Sequence, residues 1–513
     1  VQYLTEVLPE IPTNTILYKK LTGLGATYGE ITAKRNSIII EPNVPVIIGK
    51  CNDPKHKDDN LFGVYEGVYT DDIVNYLEKS KNKYYKILTT PESFQKVKYA
   101  FEELEMSAHC SCFLLFDECH KLVKDADYRS DITLPIDDFF KFDQKALVSA
   151  TPIELHDPRF KEQNFQTIEI QPTFDYKKEI WLHHTNNTLQ AFKNVLSKLD
   201  NEEVAPLPIC VFINSTDIIY SLMKQLDLLE ESAVFCAPKS VDKLKKNRFC
   251  NAYEQWSKDK MKRYNFFTSR FFNAVDMELE EQPHVIMLTD VYFAEHTMID
   301  PYTDAIQIVG RFRNGVSSIT YISNTKKGLS QRSKEEIKGY LICSKEIYRT
   351  MKNFYDCATD RASRDAYRAA LESLPFNRML DRNGRENWFA IDNYMDEELM
   401  KNYFYDENSL YKAYDNCDSF IVYHAGYYCP LGDSERLKRE NKSQSIKDKR
   451  KEIVRQLEML GDCVTEMELE YKRDLIAADS FIVEAYDTVG KEVIEKLKYS
   501  KKKITEAMIQ KQY

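Results

Sequence analysis

The chemistry of this chain centres on Cys112-Phe113-Leu114-Leu115-Phe116, an apolar run that passes directly into Asp117-Glu118-Cys119-His120. A run without polar alternation reads as a strand buried on both faces of a parallel sheet. The two acids then stand at the carboxyl edge of that sheet, where open α/β sheets bind ligands. At such a place Asp117 can hold Mg2+ through its water shell, and Glu118 can orient and deprotonate an attacking water. His120 is positioned to report the state of a bound phosphate to a neighbouring lobe. A purely local reading competes: acids after a strand also suit the first turn of the helix that follows.

A second candidate lies upstream. Lys20-Leu21-Thr22-Gly23-Leu24-Gly25-Ala26-Thr27 follows a strand candidate and precedes a helix-like stretch. Glycines in that setting let backbone N–H groups approach a phosphate, and a helix N-terminus favours the anion. Against the phosphate-loop pattern G-x-x-x-x-G-K-[ST], Gly25 and Thr27 are in place, and Thr27 offers its hydroxyl to the same Mg2+. Ala26 occupies the lysine position, and Lys20 occupies the first position, where Gly or Ala is usual. The loop is therefore read with its lysine relocated, Lys20 supplying the missing charge within the chain or toward a neighbouring subunit. The alternative is a polar strand end and a loop that binds no nucleotide.

Together with later residues, these stretches resemble superfamily 2 helicases. Asp117-Glu118-Cys119-His120 looks like their D-E-x-H box, Ser149-Ala150-Thr151 like their S-A-T motif, and Gln307-Ile308-Val309-Gly310-Arg311 like their Q-x-x-G-R motif. Weaker likenesses keep the family's order: Glu41-Pro42-Asn43, Thr90-Pro91-Glu92, Phe212-Ile213-Asn214-Ser215, and the stretch from Thr268-Ser269 to Asp276. The resemblance covers about residues 10–325. It implies ATP and Mg2+ as cofactors, with Lys20, Thr22, Gly23, Leu24, Gly25, Ala26, Thr27, Asp117, His120 and Asp276 around the nucleotide. It implies Glu118 and Gln307 as catalytic groups, and two arginine fingers, Arg311 and Arg313, that close from a second lobe and stabilise charge on the γ-phosphate. The ending Gly310-Arg311-Phe312-Arg313 departs from the usual G-R-x-G-R and resembles helicases of the viral origin-binding type. Nucleic-acid contacts, mostly with the backbone, are implied at Asn43, Thr90, Ser215, Thr216, Thr268 and Ser269. The implied activity is that of a nucleic-acid-dependent ATPase, a helicase or translocase on single-stranded DNA, with RNA as the other track. The displaced lysine keeps open a second reading, a clamp that binds ATP and nucleic acid with little or no hydrolysis.

The elements that must position these residues are legible as short β-branched runs. Residues 15–18, 37–40, 86–90, 113–116 and 146–149 read as strands of one lobe, and 208–213, 264–268 and 284–288 as strands of another. The intervening stretches are long enough for crossover helices. The predicted fold class is α/β, with two tandem RecA-like parallel-sheet lobes followed by a mainly helical C-terminal domain. The predicted boundaries are 1–170, 171–328 and 329–513. Tyrosines crowd residues 398–428, a place for stacking on strands or for core packing. Apolar residues at 453, 457, 460, 464 and 467, then at 482, 486, 489 and 493, predict a helical hairpin or short coiled coil over 446–513. Such helices would suit a protein partner. The basic stretch 436–455 reads as a solvated helix face or a nucleic-acid-facing surface.

Composition bounds the rest. The chain has 513 residues and a formal net charge of −10, which excludes a uniformly basic nucleic-acid coat and permits a local basic groove. Its 12 cysteines include no CxxC pair, so reduced thiols are expected and a zinc site is not. No apolar run approaches the roughly 18 residues of a membrane span. The N-terminal stretch lacks the layout of a signal peptide. The expectation is a cytoplasmic protein, in a bacterial cell or a phage-infected host, with no membrane partner.

Overall fold

The computed structural model describes residues 3–127, 129–201, 206–273, 275–441 and 443–512. The first lobe is a sheet of seven strands: β1 (Thr15–Tyr18), β2 (Ser37–Ile40), β3 (Leu61–Val64), β4 (Lys86–Thr89), β5 (Phe113–Phe116), β6 (Gln144–Ser149) and β7 (Gln166–Glu169). Its order is β3-β4-β2-β5-β6-β1-β7, and every pairing is parallel. Ile38, Ile39, Ile40, Leu114, Leu115 and Phe116 have no exposed surface, because helices cover both faces. The register sets Ile40 beside Phe116, Phe116 beside Leu147, and Tyr18 beside Ser149. The carboxyl ends of β2, β5, β6 and β1 therefore lie along one edge. The residues that leave those ends are Glu41, Asp117, Ala150 and Lys19.

The second lobe has eight strands: β8 (Lys178–Thr185), β9 (Ile209–Phe212), β10 (Ser232–Phe235), β11 (Ala252–Tyr253), β12 (Tyr264–Phe267), β13 (His284–Thr289), β14 (Ser318–Ser323) and β15 (Phe420–Tyr427). Their order is β11-β10-β12-β9-β13-β14-β8-β15, again all parallel. The α/β class and the two parallel-sheet lobes are thus present, followed by a mainly helical region. One strand of that region returns: β15 pairs with β8 from Phe420 to Tyr427. A parallel partner needs a long crossover, and the helices between β14 and β15 supply it. Phe420 is buried while Ile421 and Tyr423 are exposed, so this edge strand alternates with period 2. Tyr423 stacks on Trp181 of β8 with ring centroids 4.8 Å apart.

The helix Trp388–Lys401 ties the lobes together. Phe389 enters the core of the first lobe, and Met400 packs on the core of the second. Asp392 accepts from His156 Nδ1 at 2.6 Å. Lys124 Nζ, in the first lobe, reaches Asp396 at 2.5 Å and Asp300 of the second lobe at 3.1 Å. The tyrosine-rich stretch belongs largely to this packing, since Phe404, Tyr414 and Phe420 join the second lobe's core.

The last segment differs from a two-helix hairpin. Ile446–Leu460, Glu466–Ala478, Ser480–Val489, Lys491–Lys496 and Lys501–Gln512 fold around a core of their own. Gly461 and Gly490 have φ of +61° and +80°, a conformation that stops a right-handed helix. The apolar spacing is consequently cut into short helices, and Val464 points outward. Part of the basic stretch is spent on internal pairs: Arg436 with Asp290, Arg450 with Asp479, Lys451 with Asp448 and Arg455 with Glu452.

A buried polar cluster docks this segment on the second lobe. Asp433 Oδ2 accepts from Thr188 N at 3.0 Å and from Asn324 Nδ2 at 2.8 Å. Burial, with the nearby Asp290, pushes the Asp433 carboxyl up to about 7. Its folded value lies above its unfolded one, so its stabilising contribution is complete below the ordinary carboxylate range and is lost as pH rises through about 7. The thermal midpoint of Asp433→Asn, neutral at every pH, should therefore fall less than that of the wild type between about pH 5 and about pH 8. Equal falls would show that this carboxyl does not set the pH dependence.

Candidate active site

The loop after β1 separates two adjacent lysines. Lys19 N donates to Ser149 O at 3.0 Å, which fixes Lys19 against the end of β6. Lys20 then takes a left-handed φ of +57°, and its side chain leaves in another direction. Lys19 is 5% exposed, and its Nζ stands 3.8 Å from Asp117 Oδ1. Lys20 Nζ lies 2.7 Å from Glu169 and 3.7 Å from Asp418. Lys20, expected to supply the loop's charge, is thus turned to Glu169 and Asp418, while Lys19 faces Asp117. Ala26 is buried in an apolar cluster with Leu17, Leu24 and Ile31.

Thr27 Oγ1 donates to Asp117 Oδ2. Asp117 Oδ1 also accepts from Glu118 N at 2.9 Å. Burial works to raise this carboxyl, but Lys19, Lys50 and the Thr27 hydrogen bond outweigh it and hold Asp117 below its ordinary range. Glu118 has φ of +51°, while Cys119 N donates to Val148 O at 2.9 Å. Glu118 Oε2 is buried and makes no hydrogen bond; His120 Nδ1 stands 3.3 Å away. Glu41, at the end of β2, is named in the sequence only as part of a strand-end likeness and is given no role there at this site. It is buried, its Oε1 has no partner, and burial pushes it up to about 7, opposed by Lys50 and reinforced by Asp117 and Glu118.

His120 joins the lobes. Burial, helped by Lys121, pushes it down to about 3, so the ring is neutral. Asn273 Nδ2 donates to Nε2 at 3.0 Å, which leaves Nδ1–H to face Ser149 Oγ at 3.1 Å; this tautomer follows from the network. Ser149 Oγ accepts from Thr151 N at 3.1 Å, so the S-A-T stretch is held by the same network. Asn273 O accepts from Asn43 Nδ2 at 3.2 Å and from Arg311 Nη1 at 3.4 Å. Asn273 sits in a stretch whose neighbours were singled out, but an asparagine in a loop carries no signal of its own.

The second lobe contributes the helix Asp304–Gly310 and the residues after it. Gln307 Oε1 accepts from Arg311 Nη2 at 3.0 Å, and Gln307 Nε2 is buried with no partner. Asp276 takes both arginines: Oδ1 lies 3.2 Å from Arg311 and Oδ2 lies 2.7 Å from Arg313. Arg313 Nη1 also donates to Thr22 Oγ1 at 3.3 Å, and Thr22 Oγ1 donates to Gly310 O at 3.1 Å. A Cβ on Gly23 would lie 2.5 Å from Arg313 Nη1. A Cβ on Gly310 would overlap the Thr22 hydroxyl. Two glycines thus let the lobes meet at the loop. Arg313 lies on the loop, whereas Arg311 is buried within its own lobe.

The residues proposed for nucleic acid stand at strand ends. Asn43 is buried between Lys121 and Asn273. Thr90 is buried after β4, with its N–H on Val64 O. Ser215 caps the helix Thr216–Gln225, and Thr216 opens it. Thr268 is buried and Ser269 half-buried after β12. No helix among the described residues is long and apolar enough to cross a membrane.

These atoms fit a Mg2+-phosphate ligand. Asp117 and Thr27 are hard oxygen donors, and Mg2+ asks for one or two protein carboxylates while keeping water and phosphate oxygens. Among the described residues no group of three or more His, Cys, Asp or Glu side chains could hold a metal alone.

No protein-family model and no curated protein matches the chain. Among solved structures it is similar to yeast (S. cerevisiae) Dbp5 bound to RNA and ADP BeF3, at 12% identity over 76% of this chain and 90% of that one, with a TM-score of 0.38. It is similar to RecG bound to a three-way DNA junction, at 12% identity over 76% of this chain and 48% of that one, with a TM-score of 0.36. A DEAD box protein from Methanococcus jannaschii shares 15% identity over 61% of this chain and 82% of that one, with a TM-score of 0.32.

The contact between the loop and the second lobe should depend on the missing Cβ of Gly310. Gly310→Ala should lower the thermal midpoint by several degrees, since overpacking typically costs about 1–3 kcal/mol. Thr22→Ala in the same chain should restore part of it by removing the colliding atoms. A midpoint that stays low in the double variant would place the defect elsewhere.

Proposed function

We propose that this chain is a nucleic-acid-dependent ATPase, a helicase or translocase that hydrolyses ATP between its two lobes. The observation that carries it is the meeting of the two lobes at the loop, with Thr27 on Asp117 from one side and Arg313 on Thr22 from the other. Glu118 Oε2 and Gln307 Nε2 are among the buried polar atoms without a partner. Buried polar atoms are normally satisfied, so an open acceptor and an open donor suit a water and a phosphate.

In this reading Asp117 and Thr27 would hold Mg2+, which supplies positive charge to the phosphate oxygens. Lys19 replaces the absent lysine at Ala26 as the fixed cation on the phosphates. Glu118 accepts the proton of the attacking water. Arg313 delivers its charge from the second lobe, and Arg311, braced by Asp276 and Gln307, holds the second lobe's side of the cleft in place. The His120–Asn273 contact makes the state of the first lobe felt in the second. The track is single-stranded nucleic acid, DNA by preference, crossing the strand ends at Asn43, Thr90, Ser215, Thr216, Thr268 and Ser269. The working units are 1–170, 171–328 and 329–513, with β15 lent back to the second. The burial of Ala26 favours one other reading, the ATP-holding clamp.

Phosphate release from ATP should rise with single-stranded DNA or RNA and should fall about 100-fold or more in Glu118→Gln, the range expected for a general base. Nucleotide binding without turnover in the wild type would favour the clamp. Lys19→Ala should cost roughly tenfold or more in turnover, and Lys20→Ala less than about twofold. The reverse ranking would return the role to Lys20.

A further inference from the structure

A cavity of about 370 Å3 opens against the phosphate loop. Thr22 and Gly23 of the loop and Arg313 of the second lobe form one wall. Phe174 and Tyr176, in the connection between β7 and β8, form another, and Ile306 and Phe420 complete an apolar lining. Its volume lies in the range of small-molecule sites, roughly 300–1,000 Å3.

Resting on the phosphate-site reading above, we propose that this cavity receives the base and sugar of the bound nucleoside triphosphate, with Phe174 and Tyr176 as its stacking faces. The cavity shares Thr22, Gly23 and Arg313 with the phosphate site. A group covalently attached to phosphates on that loop enters it directly. The lining suits a flat heteroaromatic ring: aromatic faces and aliphatic side chains dominate, with few polar edges. Phe174 is 46% exposed, a large ring left without a full packing partner.

A second anion is disfavoured as the occupant: of the two cations in the lining, Arg313 is already given to the phosphates, and Lys178 shares the wall with the carboxylate of Asp175. Lys20, beside the connection, is paired with Glu169 and Asp418. Sheet order argues against a base of the nucleic-acid track. The cavity adjoins the loop after β1, next to β7, whereas Asn43 and Thr90 follow β2 and β4, with β5 and β6 between. A track base would have to cross the catalytic strands to reach the cavity.

The walls are held by separate parts of the chain. Lys178 N donates to Ser419 O at 3.0 Å, which joins the connection to the turn before β15. The Lys20 pairs pin that turn to the end of β7. Base occupancy would therefore bear on the first lobe, the second lobe and the C-terminal region at once.

The test is calorimetric titration of the full chain in Mg2+ with ATP and with inorganic tripolyphosphate. Wild type, a Phe174→Ala/Tyr176→Ala double variant and Phe174→Tyr are compared. The wild type should bind ATP about tenfold or more tighter than tripolyphosphate, a stacking-sized difference. The double alanine variant should lose that difference while keeping its tripolyphosphate affinity, which also reports a folded phosphate site. Phe174→Tyr, which keeps a ring, should retain the difference. Wild-type ATP affinity in the double variant would overturn the cavity assignment and leave the phosphate site standing. A wild type that binds neither ligand would overturn the phosphate-site reading, and the cavity assignment with it.

Discussion

Asp117 carries its charge where water is excluded, and the edge of the first sheet is arranged to compensate it. Stripping a partner from a buried ion pair typically costs about 3–5 kcal/mol, because the remaining charge is left uncompensated. Three partners converge on Asp117: the ammonium of Lys19, the hydroxyl of Thr27 and the amide of Glu118. Each comes from a different place in the chain, the end of β1, the start of the following helix and the turn after β5. Parallel strands in the order β5-β6-β1 make that convergence possible, since their carboxyl ends share one edge. The usual lysine position is filled by Ala26, whose methyl is part of the core. In the reading proposed above, the charge comes from Lys19 at the preceding strand end instead of from the loop.

The meeting of the lobes follows from the same economy of atoms. Gly23 and Gly310 lack the Cβ atoms that would hold the loop and the helix Asp304–Gly310 apart. Their absence lets Arg313 rest on the loop while Asp276 orients it. His120 and Asn43 add contacts on Asn273, and the helix Trp388–Lys401 bridges both lobes as well. It enters the first lobe's core with Phe389, pairs with His156 and Lys124, and packs on the second lobe through Met400. The helical region thus helps to fix how the two lobes meet.

Much of the first lobe was legible because its strands are buried on both faces. Ser37–Ile40 and Phe113–Phe116 are continuous apolar or β-branched runs, and their positions could be read without any partner. Several strands were missed for two reasons. Gln166–Glu169, Lys178–Thr185 and Phe420–Tyr427 carry charged, histidine and tyrosine residues on their open side, so their sequences look like loops or helices. Leu61–Val64 and the buried Ser232–Phe235 and Ser318–Ser323 are short runs broken by glycine, serine or threonine, which weakens the apolar signal. The acidic box, the loop and the arginine stretch were found by spacing. What spacing could not show was the direction of a side chain. Lys19 and Lys20 are neighbours of the same type, and only the left-handed turn at Lys20 decides which one faces Asp117. Glu41 and Asn273 matter through long-range contacts alone, and a single sequence holds no trace of those.

The C-terminal region was the least legible part and turns out to be woven into the site. It returns one strand to the second sheet, places Phe420 on the cavity beside the loop, and sends Asp392 and Asp396 to the first lobe. A segment that only extended the protein would have no reason to touch both lobes and the connection between them. Through β15 and the turn at Asp418, any movement of the helices around Tyr403–Tyr414 reaches Lys20 and the wall of the cavity. Conversely, a ligand that spreads Phe174 from Phe420 pushes on β15, and β15 is continuous in the sheet with β8 and β14. The contacts thus join the helical region to the cavity beside the loop through β15 and the turn before it.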